Sequence, residues 1–274
     1  MLLLRRLLRP LLVNMPSAPK PRVHVHVSYV NFDKYEPVLR KMQWSIELYL
    51  GSTSIDTITP DDARRLKDSL EWEHTLSIHG PFMDLSPGAI DKKIAAASLE
   101  RYLQVIDLSK ILKPEVVVFH SGYEKWKYAG NVELWLNQSL NTWRAVMDEA
   151  EKIGVKVAIE NIVDEEPGHL RYLAEKMAHP LFGLCLDVGH REIFSKLSTA
   201  QWAEGMHPYI FELHLHDNSG ENDDHMPIGD GQVDFTGLFG KLKELGADPV
   251  YTLEAHSAQD AVKSMEALSG YGIF

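Results

Sequence analysis

The chain reads as one α/β domain, a (β/α)8 TIM barrel over residues 21–274, on three observations. Short runs rich in Val, Ile and Leu alternate with longer segments that can form helices, and such alternation calls for a parallel sheet. Eight strand–helix units fit into 274 residues, an ordinary size for a closed barrel. The rival, a doubly wound open sheet, wants a glycine-rich turn after its first strand, and HVHVSYVNF has none.

The strands are expected at 22–29, 45–50, 75–79, 115–120, 156–161, 182–187, 210–217 and 250–255. Each is a short apolar run, the pattern of a strand buried on both faces. The helices are expected near 33–42, 60–72, 91–112, 133–153, 168–178, 198–206, 236–245 and 257–268. Asp33, Thr59, Ser198 and Asp234 are the expected N-caps, because a short oxygen-bearing side chain satisfies free N–H groups there. Gly154 and Gly246 fall where two of the helices should stop.

Residues 1–20 read differently. MLLLRRLLRPLLVNM interrupts its leucines with arginine and proline, so no apolar stretch reaches the ~18 residues of a membrane span. The segment is expected to be a poorly ordered extension, with Met15 an alternative start. The chain is 45% hydrophobic and 24% charged, enough to build a large core under a charged surface. The net charge of −11 argues against a DNA- or RNA-binding protein, which usually carries a basic face. One cysteine, Cys185, excludes an internal disulfide and fits a reducing compartment, so the expected location is the cytoplasm. Cys185 lies mid-strand in LCLD and reads as a small core residue.

The chemistry sits at the strand ends. TLSIHG, VVVFHSG, KVAIEN, LCLDVGH, ELHLHD and YTLEAH all finish on a His or a carboxylate, and DDH follows in a later loop. In a parallel barrel these ends meet at one mouth, where sites are built. Glu160, Asp187, His214 and Glu254 come from strands five to eight and can converge on one cation. Imidazole nitrogen with carboxylate oxygen suits Mn²⁺ or Zn²⁺, with Mg²⁺ and Co²⁺ also allowed. Two of the four are Glu, and carboxylates beside a cation can pass a proton across an α-hydroxy carbonyl carbon.

Taken singly, each residue has a plainer reading. A buried His can be a hydrogen-bonded core group, Asp187 can cap the segment after it, and Glu160 can pair with an Arg. His214 and His216 share a strand face, and only one need bind the primary metal. Glu47 lies inside the second strand and reads as a structural carboxylate. The loop SGENDDHMPIGDGQVDF can be simply a solvated surface loop. Trp126, Trp135, Trp143 and Trp202 read as packing residues, although Trp126 and Tyr123, just past His120, can instead wall a pocket.

VAIEN, LCLDVGH, HLHDNSGENDDHMPIGDGQVDF and LEAH resemble the xylose-isomerase-like TIM barrels, the superfamily of sugar phosphate isomerases/epimerases and endonuclease IV. The resemblance covers roughly residues 22–270. Its ketose 3-epimerase branch implies one metal on Glu160, Asp187, His214 and Glu254. Glu160 and Glu254 are then acid and base, and His190 lies near the substrate oxygens. Its endonuclease IV branch implies three zinc ions on His79, His120, Glu160, Asp187, His190, His214, Asp223, His225 and Glu254. The wording departs from that branch: DVGH and HLHDNSG differ from its usual forms, and DDH has an acid where it tends to carry a base. The expected function is a metal-dependent isomerase or epimerase of a sugar or sugar phosphate. Abasic-site phosphodiester cleavage, another metal-dependent reaction on a polyol or keto acid, and a non-catalytic sugar-binding barrel are the alternatives. The sugar, the metal count and assembly into a homo-oligomer stay open at this stage.

Overall fold

A computed structural model describes residues 22–273, so the expected extension at 1–20 lies outside the described residues. Eight strands close on themselves in sequence order: β1 (Val23–Ser28), β2 (Ser45–Tyr49), β3 (Leu76–His79), β4 (Val116–His120), β5 (Lys156–Glu160), β6 (Phe182–Asp187), β7 (Ile210–Leu215) and β8 (Val250–Leu253). Every neighbouring pair is parallel, and β8 pairs back onto β1. The barrel expected from the alternation of strands and helices is the fold of this protein.

The helices are α1 (Phe32–Met42), α2 (Ser52–Thr57), α3 (Pro60–Ser69), α4 (Lys92–Leu112), α5 (Val132–Ile153), α6 (Gly168–Met177), α7 (Val188–Phe194), α8 (Thr199–Met206), α9 (Phe235–Leu245) and α10 (Ala258–Gly270). Two of them, α2 and α7, are short and fall where the sequence suggested only connections. Three expected caps hold. Thr59 and Ser198 form capping boxes with Asp62 and Gln201, and Asp234 accepts from the Gly237 amide. The fourth does not. Asp33 lies inside the first turn of α1, because a 3-10 turn at Tyr29–Asn31 starts the helix a residue early and puts Asn31 at the cap position. Gly154 and Gly246 end α5 and α9 with φ of +71° and +64°. Among the described residues, no helix is long and apolar enough to cross a membrane.

Side chains alternate along each strand, so one set faces the helices and the other fills the barrel. Val117, Phe119, Val157, Ile159, Leu184, Leu186, Leu213 and Leu253 belong to the large core shared with the helices, where Trp135, Trp143 and Trp202 are fully buried. Val116, Val118, Ala158, Cys185 and Val250 form a separate, smaller cluster. Two residues beyond Val118, Ala158 and Cys185 come His120, Glu160 and Asp187. The apolar cluster therefore turns polar at the C-terminal end of the strands. One irregularity helps to align it. The β6–β7 register slips by one residue between Leu184 and Cys185, which sets Cys185 opposite Glu212 and Asp187 opposite His214. Without the slip, Asp187 would sit opposite Leu213, on the wrong face of its neighbour.

Candidate metal centre

His79 and His120 end β3 and β4, Glu160 ends β5, Asp187 ends β6, His214 is the penultimate residue of β7, and Glu254 directly follows β8. All are buried or nearly so. His79 Nε2 and His120 Nε2 lie 3.1 and 3.3 Å from Glu160 Oε2. His214 Nδ1 lies 3.5 Å from Glu160 Oε1, 3.5 Å from Glu254 Oε1 and 3.9 Å from Asp187 Oδ2. Three of the four residues expected as primary ligands thus lie within 3.9 Å of the ring nitrogen of the fourth.

Local bonds fix their positions. Asn161, next to Glu160, stitches β5 to β6. Its amide donates to the Asp187 carbonyl, and its oxygen accepts from the Asp187 N–H, each at 2.9 Å. Asp187 Oδ1 caps α7 by accepting from the His190 N–H at 2.6 Å, while Oδ2 faces His214 and His216. Asp187 thus caps the segment after it with one oxygen and turns the other toward the two histidines.

The loop after β7 is more than a solvated acidic segment. The Asp217 carboxylate accepts from the N–H groups of Gly229, Gly231 and Val233 at 2.9–3.0 Å. This folds the loop back so that Asp223 and His225 reach the mouth. His225 Nε2 and His190 Nε2 lie 3.1 and 3.5 Å from Asp223 Oδ2. His216 Nε2 lies 3.2 Å from Asp187 Oδ2, and its ring stacks on His225 with centroids 4.0 Å apart. Of the expected secondary donors, His79 and His120 group with Glu160, and Asp223 and His225 group with His216, which was not among them, while His190 faces Asp223. His79, His120 and Glu160 bring donor atoms within 4.8 Å of one another, as do His216, Asp223 and His225.

The imidazoles share one arrangement. His79, His190 and His225 each donate Nδ1–H to a backbone carbonyl, those of Gly80, Asn161 and Glu254, at 2.8, 3.1 and 3.2 Å. A carbonyl can only accept, so the proton is on Nδ1; Nε2 of each ring is turned toward a carboxylate, and Nδ1 of His190 also lies 3.4 Å from Glu160 Oε1 and from Asp187 Oδ1. His214 is reversed: Nε2 donates to Glu47 Oε2 at 3.1 Å, and Nδ1 is buried with no hydrogen-bond partner. A histidine tied down by one nitrogen, with the other aimed at carboxylates, is the usual state of a metal ligand. Lone pairs facing anions repel unless a proton or a cation lies between them. The donor set, imidazole with carboxylate, fits a divalent transition ion.

The electrostatics agree. Burial raises the Glu160 carboxyl, but His120, His214 and His190 outweigh it and hold the group well below the usual carboxylate range. Burial opposes charge on His79, yet the Glu160 hydrogen bond and the fields of Glu160 and Glu47 carry it up to about 9. His225 is likewise raised to about 9 by Asp223 and Glu254 against its burial. Glu160 is thus held in its charged form by the rings around it.

Several neighbours were not singled out in the sequence. His26 of β1 donates Nδ1–H to Glu47 Oε1 at 2.8 Å and lies 3.4 Å from Glu254 Oε1. Tyr49, Phe82 and Ile162 join His26, Glu160, Asp223 and Glu254 around a cavity of about 340 Å³. Phe82 stacks on His120 with centroids 4.2 Å apart. His26 had a signal in VHVHVS, where every second residue faces inward. Tyr49 ends a strand as the histidines do, but its residue type gave no hint of a site. Tyr123 is buried against Tyr128, Trp135 and His169 and lines a different cavity, while Trp126 is 92% exposed. Neither residue walls the mouth.

With this geometry in place, the chain belongs to the xylose isomerase-like TIM barrel family, whose profile matches residues 45–271. Among its relatives is an uncharacterized protein of Methanocaldococcus jannaschii, 29% identical over 250 residues that cover 88% of this chain and 80% of the relative. The crystal structure of a D-tagatose 3-epimerase-like protein is 25% identical with a TM-score of 0.77, over 90% of this chain and 96% of that one. A Thermus thermophilus protein whose crystals were soaked with zinc chloride is 24% identical with a TM-score of 0.75, over 91% and 97% of the two chains. A D-psicose 3-epimerase solved with D-fructose shares the fold at 12% identity, with a TM-score of 0.71 over 90% and 97%.

Proposed function

We propose that this protein is a divalent-metal-dependent isomerase or epimerase acting on a sugar or sugar-like α-hydroxy carbonyl compound. The observation that carries this reading is His214. Its Nδ1 is buried, unpartnered and faces Glu160, Glu254 and Asp187, while Nε2 is committed to Glu47. Glu160, Asp187, His214 and Glu254 would hold the metal, with Mn²⁺ and Zn²⁺ the best matches to the donors. The likeness to a D-tagatose 3-epimerase-like protein supports the substrate class.

When bound, the metal supplies Lewis-acid stabilisation of negative charge on a carbonyl oxygen. The remaining work falls to the chain. Glu160 or Glu254 removes the proton from the carbon beside the carbonyl, and the electron pair moves onto the carbonyl oxygen to give an enediolate. The other Glu, loaded with a proton from solvent before the cycle, returns it to that carbon from the opposite face. One carboxylate has gained a proton and the other has lost one, so exchange with solvent resets the pair. His190, 3.4 Å from Glu160 Oε1, is placed to orient the substrate oxygens. Tyr49, Phe82 and Ile162 give the cavity an apolar wall that excludes water and accepts the C–H face of a sugar. Among the described residues, no Lys or Arg lines the cavity, which favours an uncharged sugar over a phosphate ester.

The test is incorporation of solvent deuterium at a carbon-bound position of ketoses and aldoses by metal-loaded enzyme. Exchange that disappears on chelation is expected. Absence of exchange across a broad panel, with metal bound, would reject the reading.

A second reading, a multinuclear phosphoester hydrolase, draws on the two further donor groups. These are His79 and His120 against Glu160, and His216 and His225 with Asp223. Metal stoichiometry with an abasic-site duplex assay separates the two. Three tightly held ions with nicking favour the hydrolase, and one ion with carbon-proton exchange favours the isomerase.

A further inference from the structure

Glu47 sits in the middle of β2, fully buried. It is a carboxylate with two partners, and both are histidine rings. Oε1 meets His26 Nδ1 at 2.8 Å, and Oε2 meets His214 Nε2 at 3.1 Å. An ionised carboxylate only accepts hydrogen bonds, so both facing nitrogens must carry protons. That assigns Nε2–H to His214 and Nδ1–H to His26. The consequence for His214 is that Nδ1, the nitrogen turned toward Glu160, Asp187 and Glu254, is free of its proton in the neutral ring. The consequence for His26 is that its Nδ1–H, 3.4 Å from Glu254 Oε1, lies between Glu47 and one of the two candidate acid/base carboxylates.

We propose that Glu47 is a positioning residue: its two oxygens fix the tautomers of His214 and His26, so that His214 offers Nδ1 to the metal and His26 keeps its Nδ1–H on Glu47, 3.4 Å from Glu254. Both Glu47 oxygens are taken by histidine N–H groups, and Glu47 is not among the residues lining the cavity. It acts from β2 on residues of β1 and β7, and so ties the far side of the barrel to the acidic side. The role rests on the metal reading of the site, but the tautomer assignment does not, and this separates the two in an experiment.

Glu47→Gln is the informative change. It keeps the shape, but an amide has one accepting oxygen and one donating nitrogen. Only one of the two histidines can still donate to it. The other must turn its ring or move its proton, and for His214 that move would protonate the ligand atom. Outer-sphere partners of this kind typically contribute about 10- to 100-fold to metal affinity. Glu47→Gln is therefore expected to weaken Zn²⁺ binding by that factor, read by calorimetric titration, with the melting curve showing that the barrel stays folded. Long-range ¹⁵N–¹H correlation on zinc-loaded wild type is expected to show His214 bound through Nδ1 and protonated at Nε2, and His26 protonated at Nδ1. Glu47→Asp, which restores two accepting oxygens, is expected to recover the His214 and His26 signatures in part.

Wild-type His214 bound through Nε2 or protonated at Nδ1 would overturn the proposal, and this needs no variant to fold. So would a folded Glu47→Gln protein with wild-type affinity and unchanged imidazole signals. If wild type binds no divalent metal at all, the function proposed above fails. Metal-free wild type titrated to its neutral imidazoles then still decides on Glu47, with Nε2–H at His214 and Nδ1–H at His26 supporting it.

Discussion

The barrel interior has two polar tiers built from the same residue types, and they behave in opposite ways. In the lower tier, His24 of β1 meets the hydroxyls of Ser77 and Thr75 at 2.8 and 2.7 Å, and Glu212 of β7 accepts from Ser77 and Thr252. Burial lowers His24 to about 3, and burial together with Glu47 raises Glu212 to about 8, so both are neutral near pH 7. In the upper tier, burial is overcome: Glu160 is held well below the usual range and His79 is raised to about 9. The difference lies in the partners. Hydroxyl partners bring no charge, so burial and the nearby Glu47 decide for Glu212 even against its hydroxyl hydrogen bonds, whereas facing imidazoles and carboxylates stabilise each other's charge. A barrel that needed only polar filling could have repeated the lower tier. The upper tier instead gathers anionic oxygens around ring nitrogens, an arrangement held only by a proton or a metal cation between them.

The sharpest way to break this comparison is to neutralise one Glu in each tier. Glu160→Gln removes a candidate ligand and a candidate base together. Carbon-proton exchange is expected to fall by at least the ~10²–10⁴-fold typical of a lost general base, and metal content should fall with it. Glu212→Gln, two residues before His214 but in the neutral tier, is expected to leave metal content unchanged. Equal losses in both variants would mean that the tiers do not differ in function.

A smaller effect tests the wall of the upper tier. A Cβ added at Gly189 would run into the His216 ring, which is fully buried beneath it. Gly189→Ala therefore forces His216 away from Asp187, and overpacking of this kind typically costs about 1–3 kcal/mol. A drop in melting temperature together with a changed metal content is the expected result. A neutral outcome would show that the His216 ring has room to move.

The lower tier makes its own prediction about pH. Glu212 is raised in the folded state from 4.5 to about 8, so the folded protein holds this proton more tightly than the unfolded chain. That contribution is fully present below about pH 4.5 and is lost as pH rises through about 8. Metal-free wild type should thus lose more stability than Glu212→Gln as pH rises across that window, as read by denaturant melts. Parallel curves for the two proteins would mean that Glu212 is already ionised in the fold.

The barrel and the upper tier were largely legible in the sequence because both follow from period two. A strand that ends on His or Glu puts that group at the mouth, and the six endings from TLSIHG to YTLEAH could be read without coordinates. What remained hidden depends on distance between strands. Glu47 was correctly placed inside β2, yet its two histidine partners are 21 and 167 residues away along the chain. His26 looked like one more residue of an alternating strand. The one-residue slip at Leu184 and Cys185, which brings Asp187 level with His214, leaves no mark in LCLD. The bonds that fold the 217–233 loop over the mouth converge on one buried carboxylate, Asp217, which the sequence offered only as the last residue of the seventh strand.

The smallest expected effect concerns two tryptophans that the sequence read alike. Trp135 is fully buried and donates Nε1–H to the Ser121 carbonyl at 3.1 Å, whereas Trp126, nine residues earlier in the chain, is 92% exposed. Both stood near the same helix start, and apolar character alone could not separate them, because only α5 has a packed face and Trp126 precedes it. Truncating a large buried aromatic typically costs about 3–5 kcal/mol, while a surface change away from special features stays within about 0.5 kcal/mol. Trp126→Ala is therefore expected to leave the melting temperature and the metal content where they are. Its turnover on the sugar that exchanges best should also match wild type, because Trp126 is not among the residues lining the cavity. A raised KM with unchanged stability would show that this ring reaches the substrate, and the apolar wall of the site would then extend beyond Tyr49, Phe82 and Ile162 to the loop after β4.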